Sequence, residues 1–100
     1  MAGRKTDIRR VRAVATGRVQ GVGFRYFVQR EAARLALDGW VRNLANGNVE
    51  TVVQGPQDKL ELMLARLREG PALSWVEHLA VDRLEPDDSL TSFEIRSTGW

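Results

Sequence analysis

Apolar residues near the start of the chain change from a repeat of two residues to the spacing of a helical face. In residues 10–16 every second residue is apolar (Val11, Ala13 and Ala15), and these residues share one face of an extended chain. This pattern predicts a strand that ends at Gly17. From residue 24 to residue 37 the spacing instead predicts a helix, whose buried face consists of Phe24, Phe27, Val28, Ala32, Leu35 and Ala36. Asp38-Gly39 ends this helix, because glycine accepts the left-handed conformation that commonly follows a last helical turn.

The remaining patterns predict a hairpin, a second helix and two further strands. Residues 40–44 and 48–54 are short strands joined around Asn46-Gly47, a pair typical of hairpin turns. Gly55-Pro56 then opens a second helix, which Gly70-Pro71 ends. Its buried stripe is Leu60, Met63, Leu64 and Leu67. Alternation predicts a strand over residues 75–85 and a short last strand over residues 92–97.

The resulting order is β-α-β-β-α-β followed by a short fifth strand, which is the split βαβ, or ferredoxin-like, α+β arrangement. Right-handed crossovers put both helices on one face of an antiparallel sheet. The helices cover that face, and the other face is left open. A fold of this kind does not determine an activity.

Length, charge and cysteine content narrow the class of protein. A chain of 100 residues forms one domain. The net charge is only +2, yet residues 1–12 contain Arg4, Lys5, Arg9, Arg10 and Arg12 against Asp7 alone. We therefore expect a basic, flexible tail over residues 1–8 and a single domain over residues 9–100. The alternative for the tail is a nucleic-acid arm with weak phosphate contacts.

The absence of cysteine excludes disulfides, zinc-thiolate sites and a cysteine nucleophile, and it agrees with a cytoplasmic location. No apolar run has the length of a membrane span, and the start of the chain does not have the pattern of a secretory signal. These observations predict no membrane partner. We also expect a monomer, although the sequence leaves the oligomeric state open.

A glycine-rich loop, GRVQGVG, joins the first strand to the first helix. Helix starts present unpaired N–H groups and a partial positive charge, and glycine lets successive N–H groups turn toward one anion. Arg25 follows in the first helical turn, and its planar guanidinium can bind two phosphate oxygens. The alternative is an ordinary strand–helix turn with a solvent-exposed arginine. The candidate phosphate-binding residues are Gly17, Arg18, Val19, Gln20, Gly21, Val22 and Gly23.

Two motifs give the chain a family resemblance. GRVQGVGFR at residues 17–25 and GWVRNLANGNVE at residues 39–50 resemble the two signatures of the acylphosphatases. The resemblance extends over nearly the whole chain and implies a sheet of order 4-1-3-2-5. It also implies an acylphosphatase enzyme that hydrolyses acyl phosphates, without a metal or other cofactor, to carboxylate and inorganic phosphate. The family's essential arginine falls on Arg25 and its essential asparagine on Asn43.

The chemistry of an acyl phosphate is consistent with these residues. A mixed anhydride has a good leaving group, so the enzyme has to neutralise phosphoryl charge and place a water in line. Arg25 and the loop amides suit the first task, and the amide of Asn43 can hold a water by hydrogen bonds. An asparagine before a hairpin also has an alternative explanation in turn geometry.

The residues leave other functions open. One is a non-catalytic anion-binding module, or an accessory acylphosphatase-like domain as occurs in the larger hydrogenase maturation carbamoyltransferases. The other is a ferredoxin-like RNA-binding module, which would need aromatic residues on its central strands, whereas NVETVVQG has none. We expect no nucleic-acid partner, broad specificity for the acyl group, and cross-strand surface charges at Arg42 and Glu50. Ser97 to Trp100 extend past the last strand, and their relation to the site is left open.

Overall fold

The computed structural model describes residues 7–99, and the elements in this range follow the predicted order. They are β1 (Ile8–Arg18), α1 (Phe24–Arg34), β2 (Asp38–Asn43), β3 (Val49–Pro56), α2 (Gln57–Glu69), β4 (Trp75–Leu84) and β5 (Phe93–Ile95). The predicted basic tail falls mostly on residues 1–6, which lie outside the described range, while Ile8 already belongs to β1. The tail therefore stays a prediction.

The strands form one sheet in the order β4-β1-β3-β2-β5, which confirms the predicted order. β1 pairs antiparallel with β3 and β4, and β2 pairs antiparallel with β3. The short β5 differs, because it pairs parallel with β2, from Gly39 opposite Phe93 to Val41 opposite Ile95. The sheet is thus mixed at one edge, where the sequence had predicted antiparallel pairing throughout.

Alternation along β1 directs one row of side chains toward the two helices. Val11, Ala13 and Ala15 are buried, and the residues between them are partly exposed. This row belongs to the same apolar cluster as the buried faces of both helices, which contribute Phe24, Phe27, Val28, Ala32, Leu60, Met63 and Leu67. Neither helix of the described range is long and apolar enough to cross a membrane.

Helix α1 ends at Arg34, three residues before the predicted end at Leu37. The Leu37 N–H donates to the Ala32 carbonyl at 2.9 Å and the Ala36 N–H to the Ala33 carbonyl at 3.1 Å, which is a Schellman ending. Ala36 takes the left-handed position with a φ of 57° and is exposed. Its predicted place on the buried helical face is therefore wrong, although Leu35 is buried as expected.

Candidate active site

The loop between β1 and α1 is fixed to the core by apolar side chains, while its glycines stay at the surface. Val19 is only 1% exposed and belongs to the main apolar cluster, against which Val22 also packs. Gly21 and Gly23 are exposed and have φ values of 75° and 79°, in the region that side chains other than glycine's rarely adopt. The backbone of the loop is therefore held in a conformation that depends on these two glycines.

The amide groups that follow this turn have no partner inside the described part of the chain. The first backbone hydrogen bond of α1 runs from the Phe27 N–H to the Gly23 carbonyl at 3.0 Å. The N–H groups from Gly21 to Tyr26 donate no hydrogen bond to any described residue, and Gly23 provides no side-chain cap. They form the electropositive start of a helix and are available to an anion.

These amides border a small cavity of about 90 Å³. Arg25, from the first turn of α1, lines it together with Asn43, the last residue of β2. The remaining lining residues are Val19, Gly21, Gly23, Phe24 and Tyr26. The fold thus brings both predicted catalytic residues and part of the glycine loop to one small cavity.

The other residues of the predicted phosphate loop lie outside this lining. Gly17 and Arg18 belong to β1 and pair with Val76 and Trp75 of β4. Gly17 has a φ of 122°, and a Cβ added there would overlap the Trp75 carbonyl oxygen. Glycine is therefore required here because β1 and β4 approach each other closely. The register of their pairing shifts at this point.

The polar ends of Arg25 and Asn43 have no protein partner within the part of the chain that the structure describes. Both residues are half-buried, and neither side chain makes a hydrogen bond or an ion pair with any residue in the range 7–99. A half-buried guanidinium without a carboxylate partner favours an anionic ligand. The amide of Asn43 likewise keeps both its donor and its acceptor available.

Gln20 connects the glycine loop to the hairpin that carries Asn43. Its Nε2 donates hydrogen bonds of 2.8 Å to the carbonyl oxygens of Leu44 and Asn48. The sequence assigned Gln20 to the phosphate loop but gave no sign of this contact, because its acceptors are backbone atoms more than twenty residues away.

The segment after β5 runs beside Asn43. The Gly99 N–H donates to the Asn43 carbonyl at 2.9 Å, and the Gly99 carbonyl accepts from the Ala45 N–H at 3.0 Å. Further back, the Arg96 N–H donates to the Val41 carbonyl at 2.8 Å. Up to Gly99, then, the C-terminal segment lies next to the site, and it holds the backbone of β2 where that strand ends.

Glu50 is opposite Arg42 across the hairpin, but it is buried, so the expectation of a surface charge was wrong for it. Its carboxylate accepts from Arg12 at 2.5 Å and from Arg42 at 2.6 Å. Burial raises the pKa of Glu50, but the hydrogen bonds from Arg12 and Arg42 outweigh it, and the pKa lies below its usual value. Arg42 directly precedes Asn43 on β2, so the side chains of the two residues point to opposite faces of the sheet.

The architecture and the cavity together define a ferredoxin-like α+β protein with a small cavity at the start of its first helix. Comparison with known proteins identifies the family within this fold class. A sequence model described as Acylphosphatase matches residues 11–95. The acylphosphatase of Moorella thermoacetica is 51% identical over 89 residues, which cover 89% of this chain and 95% of the relative.

Solved structures agree. The crystal structure of acylphosphatase from Bacillus subtilis superimposes with a TM-score of 0.85 at 38% identity and covers 88% of this chain and 98% of that one. Full-length HypF, in a phosphate- and nucleotide-bound form, matches with a TM-score of 0.83 at 30% identity over 91% of this chain but only 12% of its own. The chain belongs to the acylphosphatase family, and the prediction of an acylphosphatase enzyme is confirmed.

Proposed function

We propose that the cavity beside Arg25 and Asn43 binds the phosphoryl group of an acyl phosphate, and that the chain hydrolyses this substrate to a carboxylate and inorganic phosphate. One observation carries the proposal: the arginine, the asparagine and the glycine loop line the same cavity although they come from three separate elements. The family gives the class of reaction, and the geometry suggests how the residues divide the work.

In this scheme the phosphoryl oxygens face the amides between Gly21 and Tyr26 and the guanidinium of Arg25. Charge on these oxygens is spread and increases as the bond to the leaving group lengthens. Fixed N–H groups and a cation in a half-buried cavity stabilise that charge without reorganising. They supply the positive charge that a metal ion supplies in many other phosphoryl-transfer enzymes, so the scheme includes no metal or other cofactor.

Asn43 lines the same cavity but belongs to β2 and not to the glycine loop or α1, and we assign it to hold the attacking water. An amide does not remove a proton, but its oxygen and nitrogen can orient a water molecule by accepting and donating hydrogen bonds. The water oxygen bonds to phosphorus, and the bond from phosphorus to the acyl oxygen breaks. The electron pair leaves with the carboxylate, and the water proton passes to a phosphate oxygen or to solvent.

The open face of the sheet supports the proposal over RNA binding. Trp40 is covered on that face by Arg42 and Arg96, whose guanidinium carbons lie 5.1 and 4.7 Å from its ring centroid. Arg42 is paired with Glu50, and Arg96 lies 3.6 Å from Glu94. Aromatic and cationic groups engaged in this way are not available to stack bases or bind phosphates, so we propose no nucleic-acid partner.

A domain that binds an anion without turning it over is the second candidate, because the chain also matches a small part of the much longer HypF. The unengaged Asn43 favours catalysis over this candidate, since simple phosphate binding has no evident need for an amide there. All the residues invoked belong to one chain, so we propose a monomer as the active form. A cytoplasmic location remains a prediction from the lack of cysteine.

The test is hydrolysis of benzoyl phosphate by the purified chain in EDTA, together with Arg25→Gln and Asn43→Ala. Loss of a transition-state arginine costs about 10³–10⁵ in rate, and we expect Arg25→Gln to reach that range with weaker phosphate binding. Asn43→Ala should lower kcat with phosphate affinity largely kept. Matched controls are Arg68→Gln, an exposed α2 arginine, and Asn46→Ala, which alters the same hairpin outside the cavity lining.

The outcomes separate the two candidates. A folded chain that binds phosphate through Arg25 but does not hydrolyse benzoyl phosphate would be the anion-binding domain. Near-full activity of Asn43→Ala would contradict the role in positioning water. Activity lost in EDTA and restored by magnesium would contradict the metal-free scheme.

A further inference from the structure

Tyr26 lines two depressions at once. It borders the small cavity that contains Arg25 and Asn43, and it also borders a groove of about 590 Å³ beside α1. Tyr26 is 65% exposed, so its ring is accessible to a ligand. A ligand that filled the cavity could therefore extend past Tyr26 into the groove without crossing any other element.

The groove has an apolar floor and one cationic wall. Leu37, after α1, is buried, and Phe93 of β5 is half-buried, and together they form the floor. The wall is one face of α1, formed by Tyr26, Gln29, Arg30 and Ala33 at helical spacing. The guanidinium of Arg30 is exposed and makes no ion pair with any residue between 7 and 99.

We propose that this groove is the binding site for the acyl group, and that it favours acyl phosphates with an apolar body and a distal carboxylate. The proposal rests on the function proposed above, because it places the phosphoryl group in the adjoining cavity. Tyr26 and Phe93 then contact the apolar body of the acyl group. Arg30 lies one helical turn beyond Tyr26, about 6 Å along the helix axis, where a distal anion would end.

This arrangement makes acyl length and charge decisive. An acetyl group is too short to leave the cavity, so its hydrolysis depends on the loop amides, Arg25 and Asn43 and not on the groove. An aromatic acyl group reaches the floor of the groove and gains apolar contact. A carboxylate at the far end of the acyl group is attracted by Arg30. Because Arg30 is exposed, this attraction is weak and sensitive to salt.

The experiment compares kcat/KM for acetyl phosphate, benzoyl phosphate and 4-carboxybenzoyl phosphate. The last two share one rigid ring, and the para carboxylate cannot attack its own anhydride. We expect the unsubstituted chain to prefer 4-carboxybenzoyl phosphate by roughly two- to fivefold at low salt, as an exposed ion pair allows. Arg30→Gln should remove this preference and leave acetyl phosphate hydrolysis unchanged, and Arg68→Gln is the matched control.

A second variant tests the groove independently of charge. Ala33 is exposed on the groove wall, so Ala33→Trp should fold and should fill the space. We expect it to raise KM for both aromatic substrates and not for acetyl phosphate. The acyl site would be overturned if the unsubstituted chain and Arg30→Gln had the same preference for the carboxylate substrate, or if KM were unchanged in Ala33→Trp. Either result would leave the proposed function intact. A chain that hydrolyses none of the three substrates would overturn both.

Discussion

The side-chain amide of Gln20 donates a hydrogen bond of 2.8 Å to the carbonyl oxygen of Asn48, and so ties the glycine loop to the turn after β2. The same nitrogen donates to Leu44, the residue directly after Asn43. One side chain thus fixes the distance between the two halves of the candidate active site. Its effect on catalysis would be indirect, through the placement of Asn43 relative to the loop amides.

Replacing Gln20 should therefore affect turnover more than stability. Gln20→Ala removes two hydrogen bonds, worth about 1–2 kcal/mol of unfolding free energy together. A shift of about 1 Å in the placement of a catalytic group costs on the order of 100-fold in rate, so we expect kcat to fall by roughly 10- to 100-fold. The measurements are kcat and KM for benzoyl phosphate and the melting temperature.

Two further variants make this prediction specific. Gln20→Glu keeps the shape of the side chain but cannot donate to the two carbonyls, so it should not restore turnover. Gln57→Ala removes an exposed glutamine of α2 that hydrogen-bonds only Glu61 among the described residues, and it should leave kcat unchanged. If Gln20→Ala lost stability and kept its kcat, Gln20 would serve the fold alone.

Gly17 and Gly21, two glycines of the segment 17–23, should respond differently to alanine. At Gly17 an added Cβ would overlap the Trp75 carbonyl and lie 2.8 Å from the Glu77 nitrogen, so β1 and β4 would have to separate. We expect Gly17→Ala to cost roughly 2–4 kcal/mol of unfolding free energy, from backbone strain together with overlap. At Gly21 no described atom lies within 4 Å of an added Cβ, and only the positive φ opposes it.

Gly21→Ala should consequently cost about 1–2 kcal/mol of stability and should weaken phosphate binding, because the strained backbone turns its amides away from the cavity. Thermal unfolding and titration with inorganic phosphate separate the two effects. For Gly17→Ala we expect a large loss of stability, and in the fraction that stays folded an affinity close to normal. If the two variants lost phosphate affinity in the same proportion to their loss of stability, the separate roles of Gly17 and Gly21 would be contradicted.

The sequence was sufficient for the order of elements and the family because each element has a complete local pattern. The stripe of α2 and the Asn46-Gly47 turn are examples, and the two motifs identify Arg25 and Asn43 without any contact being known. The end of α1 was misplaced because a helix normally ends on glycine, whereas here Ala36 takes the left-handed position. Leu35 and Leu37 are buried on either side of it, and their burial stabilises the turn.

The remaining features depend on contacts between distant residues. Glu50 was expected at the surface because charged residues usually are. Its burial follows from two arginines that reach it from β1 and β2, and no local pattern records their convergence. The groove beside α1 also depends on a distant contact. Phe93 lines it together with α1 residues only because β5 pairs parallel with β2. The family resemblance implied β2 as the partner of β5, but a three-residue strand has too little pattern to predict its direction.

The burial of Glu50 leads to a prediction about acid. Because the pKa of Glu50 is lowered in the folded chain, its ion pairs stabilise the fold above its ordinary pKa of 4.5, and this contribution is lost as the pH falls through the lower folded value. The pKa of Glu31 is lowered too, mainly by the hydrogen bond from Arg34. Burial opposes this shift, and the hydrogen bond from Arg66 adds to it. The contribution of Glu31 to stability therefore depends on pH in the same direction. We therefore expect stability to decrease below about pH 4.5.

Glu50→Gln isolates the first of these two clusters. Hydrogen bonds to a charged group are worth roughly 1.5–3 kcal/mol, and we expect a loss of this order at pH 7. The difference from the unsubstituted chain should shrink as the pH falls below 4.5, because protonation then removes the same charge from Glu50 itself. Urea unfolding at a series of pH values measures this, with Glu94→Gln, an exposed carboxylate on β5, as the control. A difference that stays constant down to acid pH would mean that the ionised form of Glu50 contributes nothing to the fold.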